Sequence, residues 1–218
     1  MSVLLDSALF SIYSLFGLAW TGLSFYLMFS SHGRRWLADP KIIVVAAIAL
    51  GLMLWIVLAQ IKLLTLMAAG IPPLDVQFGY SIADIAAFAN ALGLDGRLAY
   101  ARFQLGQDTL APPAFVCFLM CVYRSTVVSA MAKKVCDRLA LAYFVAVLLA
   151  NNLMPVIILN YPSTDGLLLG ALYQLVPLCD AIKYSLHGAT WLVIVAAWLR
   201  QLAARLHQDT PLERRYDR

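Results

Sequence analysis

The stretch IIVVAAIALGLMLWIVLAQI, residues 42–61, lies between Lys41 and Lys62 and holds no charge. A hydrocarbon layer about 30 Å thick is crossed by roughly 20 apolar residues in helical form. The stretch meets that requirement, which makes it a membrane span.

The whole chain agrees with a lipid solvent. Of its 218 residues, 62% are hydrophobic and 13% are charged, and the mean hydropathy is +0.80. An ordinary soluble domain is about half apolar and about a quarter charged. A chain of this size has no interior large enough to hide the surplus from water. The net charge of +4 comes from clusters beside apolar runs. It therefore speaks to orientation in a bilayer and against a nucleic-acid partner.

Four further spans are expected on either side of residues 42–61. The first, residues 7–31, is uncharged and preceded by Asp6 rather than by a basic segment. A cleaved signal peptide would carry a positive n-region, so a retained span is expected. The third, residues 112–131, opens with Pro112 and Pro113, which suit a helix's first turn. Arg124 would snorkel from it toward the nearer interface. The fourth occupies residues 139–159 and the fifth residues 181–200. Upstream of the fifth, GLLLGALYQLVP reads as an interfacial or re-entrant helix ended by Pro177. The fold class is thus all-α, a polytopic transmembrane bundle of about five spans in one integral membrane domain.

Basic residues divide unevenly about these spans. Arg34, Arg35 and Lys41, then Arg124, Lys133, Lys134 and Arg138, then Arg200, Arg205, Arg214, Arg215 and Arg218 fall on one side. Lys62, Arg97, Arg102 and Lys183 fall on the other. The positive-inside rule then places the N-terminus outside and the C-terminus, with the tail 201–218, in the cytosol. The four cysteines fall outside the longest polar loop and show no disulfide framework. Cys117 and Cys121 read as packing, and Cys136, in KKVCDR, as a juxtamembrane acylation candidate.

Residues 72–108 form the one sizeable segment between spans, expected to be extracytoplasmic. Ser81 and Asp84 have capping-box spacing, and Ile82, Ile85, Phe88 and Leu92 recur at helical intervals before Gly93. Two short amphipathic helices are expected, at 81–92 and 96–107, lying on the bilayer or capping the bundle.

The order of residues here resembles that of a family of small, functionally uncharacterised multi-spanning membrane proteins. Asp75, Phe78, Gly79 and Tyr80 carry the resemblance, with Gly96, Arg97 and Tyr100, then Asp108 and Pro112. Asn160 to Pro162 and Lys183 fit as well, so the likeness covers about residues 42–200. In the fourth span the family pattern would place an acidic residue followed by Glu-Asn, where this chain has Asn151 and Asn152. The resemblance implies an architecture and no activity. DGRLAYAR also approaches the opening motif of the CDP-alcohol phosphotransferases. However, Tyr100, Pro113 and Cys117 stand where arginine and aspartates are required, and hard cations need oxygen ligands. That activity is excluded. No Ser-hydrolase elbow, zinc motif, Walker loop or Cys-x-x-Cys occurs, so no metal or cofactor is expected.

One polar cluster remains. In LCDAIKYSLHG, residues 178–188, Asp180, Lys183, Tyr184 and His187 share one helical face. Ionisable groups within spans mark functional sites by default. Asp180 and Lys183 alternatively sit at the outer interface, pairing locally and snorkelling. His187 lies a turn deeper and requires a partner from another span, for which Asn151 and Asn152 are available. Topology brings Asp108 and Asn160 toward the same mouth. The expected site is a polar cavity of Asp180, Lys183, His187, Asp108, Asn160 and Tyr184, roofed by the 81–105 helices.

Three functions fit. The favoured one is a non-catalytic subunit or assembly protein, its partners the lipid bilayer and another membrane protein or a second copy. A carrier or small-solute channel with an outward-facing cavity is the first alternative. A membrane enzyme acting on a lipid-like substrate is the second.

Overall fold

A computed structural model describes residues 29–106, 108–109, 111–162 and 167–208, together with residues 19, 22, 23, 26 and 27. Among the described residues all regular structure is helical. The order is α1 (Ser31–Trp36), α2 (Pro40–Met67), a 3-10 turn (Leu74–Val76), α3 (Ile82–Leu105), α4 (Ala111–Thr126), α5 (Ala130–Asn160) and α6 (Leu167–Gln208).

Three segments are long and apolar enough to cross a bilayer: Lys41–Met67, Ala130–Asn160 and Leu169–Leu206. They mark the chain as an integral membrane protein. The first expected span, residues 7–31, lies almost wholly outside the described residues. The third expected span, 112–131, appears as α4, which has 16 residues. At 1.5 Å per residue it is about 24 Å long, short of a full hydrocarbon layer. It ends at Thr126, and Ser129 caps the next helix through its hydroxyl, which accepts from the Ala132 N–H.

Local chemistry explains where the other helices begin. Asp39 Oδ1 accepts from the Lys41 N–H at 2.9 Å and Pro40 opens α2, a charged cap followed by a residue with no N–H to satisfy. Ser81 and Asp84 form the expected capping box at the start of α3. Their bonds also hold the exposed Asp84 carboxyl below its ordinary range. At Gly93 φ is +63°, a conformation that L side chains rarely adopt, and α3 kinks there. The two arms expected on either side of residue 93 are therefore present as one bent helix. Ile85, Phe88, Leu92, Tyr100 and Phe103 are buried, so α3 packs into the protein at one end of the bundle.

The bundle has two apolar clusters. One joins the end of α2 to α3, the far half of α5 and the first turns of α6 around Phe88, Tyr100, Ile157 and Val176. The second packs α4 between α5 and the distal part of α6 around Leu119, Tyr123, Phe144 and Ile194. Helices α5 and α6 run against each other most extensively, while α2 leans on α4 and α3. Much of α2 faces outward, with Trp55 77% exposed and Leu52 63%, as a lipid-facing surface requires.

Two expectations are overturned here. Pro177 does not separate a re-entrant helix from a fifth span, because α6 is continuous from Leu167 to Gln208 with Pro177 inside it. Proline is tolerated in membrane helices, where neighbouring groups satisfy the freed carbonyl. Cys136 is fully buried, which removes it as an acylation candidate, and all four cysteines are buried and outside any disulfide. Arg124, in the last turn of α4, is paired: its Nη2 reaches both Asp137 oxygens, at 2.6 and 2.7 Å, and Tyr123 donates to Asp137 Oδ1 at 2.5 Å.

Candidate functional site

A cavity of about 310 Å³ lies between α2, the 3-10 turn, α4, α5 and α6. One end is polar, formed by Asp75, Asp108, Asn151, Lys183 and Tyr184. The other is apolar, with Leu54, Val57 and Ile61 from α2 and Val147 from α5. Leu54 stands at the middle of Lys41–Met67 and His187 at the middle of Leu169–Leu206. The cavity therefore reaches from an end of the bundle to mid-span depth.

The polar end is built from residues far apart in sequence. The helical spacing of α6 sets Lys183, Tyr184 and His187 along the wall, with Asp180 a turn earlier. Asp180 is 1% exposed and Lys183 8%, and Lys183 Nζ meets Asp180 Oδ1 at 2.5 Å. Tyr80 donates its hydroxyl to the other carboxylate oxygen, Oδ2, at 2.5 Å. The Asp75 carbonyl accepts from Lys183 Nζ at 3.2 Å and from the Tyr184 hydroxyl at 2.5 Å. Its carboxylate Oδ1 accepts from Tyr100 at 2.9 Å. Burial, followed by the neighbouring aspartates, pushes the Tyr80 and Tyr100 phenols well above their ordinary range, so both stay protonated donors.

Asp108 enters from the loop between α3 and α4. Its carbonyl accepts from Asn151 Nδ2 at 3.2 Å. Desolvation, then the charge of Asp75, pushes its carboxyl up to about 8. The carboxyl thus changes charge near neutral pH.

Deeper in, three rings form a wall. Phe115 stacks on His187 with centroids 4.8 Å apart and planes at 20°. Tyr143 approaches both, at 5.6 Å from Phe115 and 5.9 Å from His187. His187 packs against these aromatic rings on α4 and α5, while the two expected partners are engaged elsewhere, Asn151 on the Asp108 carbonyl and Asn152 on the Leu148 carbonyl.

Of the six residues expected at the site, Asp108, Lys183, Tyr184 and His187 line the cavity. Asp180 lies behind Lys183, buried inside the protein rather than snorkelling at an interface. Asn160 is absent from the described lining; it is exposed and bonds the Val156 carbonyl within its own helix. The expected roof is also different. Among the described residues no α3 side chain lines the cavity, and the 3-10 turn closes it through Asp75 and Val76. Helix α3 braces that turn from behind, through Tyr100, and grips the end of α5. Arg97 Nη1 donates to the Tyr161 carbonyl, and Asn90 to the Tyr161 hydroxyl.

The site reading from sequence missed Asp75, Tyr143 and Phe115. Asp75 stood in the quoted motif with Tyr80 and Tyr100, and the acid-with-tyrosines pattern was the available signal. Nothing in a single chain ranks Phe115 or Tyr143 above the other aromatic residues of their helices. Among the described residues, no group of three His, Cys, Asp or Glu side chains could hold a metal ion. No family model, curated protein or solved structure matches this chain.

Proposed function

We propose that the chain is a non-catalytic multi-pass membrane protein that holds a small amphipathic molecule in this cavity, as a carrier or ligand-binding subunit. One observation supports it above others: the cavity grades from Asp75, Asp108 and Lys183 at the bundle end to Leu54, Val57 and Ile61 at mid-span. Ligand pockets of about 300–1,000 Å³ with apolar walls and a few convergent polar groups are the usual form of small-molecule sites. An amphiphile would match both ends at once. Binding is favoured over catalysis because no serine, threonine or cysteine is among the described lining residues, and the lysine is already committed to a carboxylate.

In the arrangement we favour, residues 7–31 and α4 complete five spans, with the N-terminus outside and the C-terminus in the cytosol. The short α4 would be accommodated by its burial among longer helices and by local thinning of the bilayer. Arg34, Arg35, Arg124 and Arg138 line adjoining surface pockets at the end of the bundle away from Asp75, which supports that end as the cytosolic one.

Native mass spectrometry of the protein, gently extracted from its own membrane, tests the function. A stoichiometric small molecule is expected, and Ala111→Trp, which fills the cavity, should release it. A stoichiometric protein partner with an unliganded cavity would instead favour an assembly subunit.

A further inference from the structure

We infer that the molecule held in the cavity carries a compact positive charge, an organic ammonium on a short apolar tail. The inference rests on the binding reading above and adds the ligand's chemical class.

The charges around the polar end do not balance. Asp75, Asp108 and Asp180 contribute three carboxyls, and among the described residues there Lys183 is the one lysine or arginine. Lys183 is largely committed within the protein. Its ammonium has three donors, of which one meets Asp180 at 2.5 Å and another the Asp75 carbonyl at 3.2 Å. Tyr80 completes the far side of that pair, on Asp180 Oδ2. Of the other two acids, Asp75 gives its carboxylate to the Tyr100 hydroxyl, and Asp108, raised to about 8, is the lining acid whose ionised form a bound cation would stabilise. An anionic head group would instead push Asp108 further toward its neutral form and gain no counter-charge from it.

The aromatic part of the lining suits the same charge. Phe115, Tyr143 and His187 place three rings within 6 Å of one another, centroid to centroid, beside the acids. Aromatic faces attract ammonium groups within about 6 Å, and rings together with carboxylates are a recurrent way of holding them. A metal cation is a poorer match, since the described residues contain no cluster of three ligating side chains. The tail would run along Leu54, Val57, Ile61 and Val147. The volume of about 310 Å³ restricts that tail to a short one.

The test is calorimetric titration of the ligand-stripped protein, in nanodiscs of zwitterionic lipid. The probes are hexyltrimethylammonium, hexanesulfonate and hexyl glucoside, which share one tail and differ in head-group charge. The ammonium is expected to bind about tenfold or more tightly than the sulfonate. Asp108→Asn and Phe115→Leu should each lower the ratio of ammonium to glucoside affinity several-fold. Phe115→Leu keeps the site's carboxyls, so it tests the aromatic wall even if the Asp108 variant fails to fold. Equal or tighter binding of the sulfonate would overturn the charge inference while leaving a ligand-binding cavity. Binding of none of the three would overturn the cavity reading and this inference with it.

Discussion

Tyr80 donates its hydroxyl to Asp180 Oδ2 across 2.5 Å, joining residues a hundred positions apart. That bond ties the loop ahead of α3 to the first half of α6. It also completes the coordination of a carboxylate whose other oxygen holds Lys183. The polar end of the cavity is one connected network, in which Asp75 links the 3-10 turn to Tyr100, Lys183 and Tyr184. A half-satisfied network of this kind is costly in a buried setting, so each member should matter to folding.

Tyr80→Phe removes one donor and leaves Asp180 buried with a single partner. The expected loss is about 1–3 kcal/mol in unfolding by denaturing detergent. A loss indistinguishable from zero would mean that the bond is not formed in the bilayer.

Asp180 and Lys183 should behave as a coupled pair. Removing one charge strands the other in a buried site, at about 3–5 kcal/mol, whereas replacing both is much less harmful. Asp180→Asn and Lys183→Met are therefore each expected to be more damaging than their combination. Strict additivity in this double-mutant cycle would place the pair in water after all.

The pH dependence follows from Asp108. Its carboxyl is raised to about 8 by desolvation and by Asp75. A group raised in the folded state contributes stability that is complete below the ordinary carboxyl range and is lost as pH rises through about 8. Asp75, Asp180, Lys183, Asn151, Tyr143, Tyr184 and His187 are the polar and titratable groups around it. Midpoint temperature should fall between pH ~6 and pH ~9, and Asp108→Asn should flatten that slope. An unchanged slope in the variant would assign the titration to another group.

Much of the helical framework was legible from the chain. Apolar runs located α2, most of α5 and the later part of α6 because lipid demands length and apolarity without regard to partners. Ser81, Asp84 and Gly93 were readable for a similar reason: caps and positive φ are local chemistry. The stripe of Lys183, Tyr184 and His187 followed from helical spacing alone. What the chain could not reveal were relations between elements. Whether Asp180 faces the cavity or lies behind Lys183 depends on which neighbour packs there, and that neighbour, Tyr80, is a hundred residues away. Asn160 was misplaced because a helix-end asparagine can satisfy itself on its own backbone, as it does on Val156. Pro177 was misread because proline's cost depends on surroundings that sequence does not display.

Orientation can be checked with a single cysteine. Leu94 is 65% exposed on α3, and the four native cysteines are buried. A Leu94→Cys variant in intact cells should react with a membrane-impermeant maleimide applied from outside. Labelling only after the membrane is opened would reverse the proposed topology.

The central claim is that an amphiphile occupies the cavity between α2, α4, α5 and α6. Photo-crosslinking with hexyltrimethylammonium bearing a diazirine in its tail tests this most directly. The account predicts adducts at Val57, Ile61 and Phe115, lost in Ala111→Trp and absent from outward-facing Trp55, which is 77% exposed. Adducts spread evenly over the exposed face of α2, and unchanged when the cavity is filled, would contradict it.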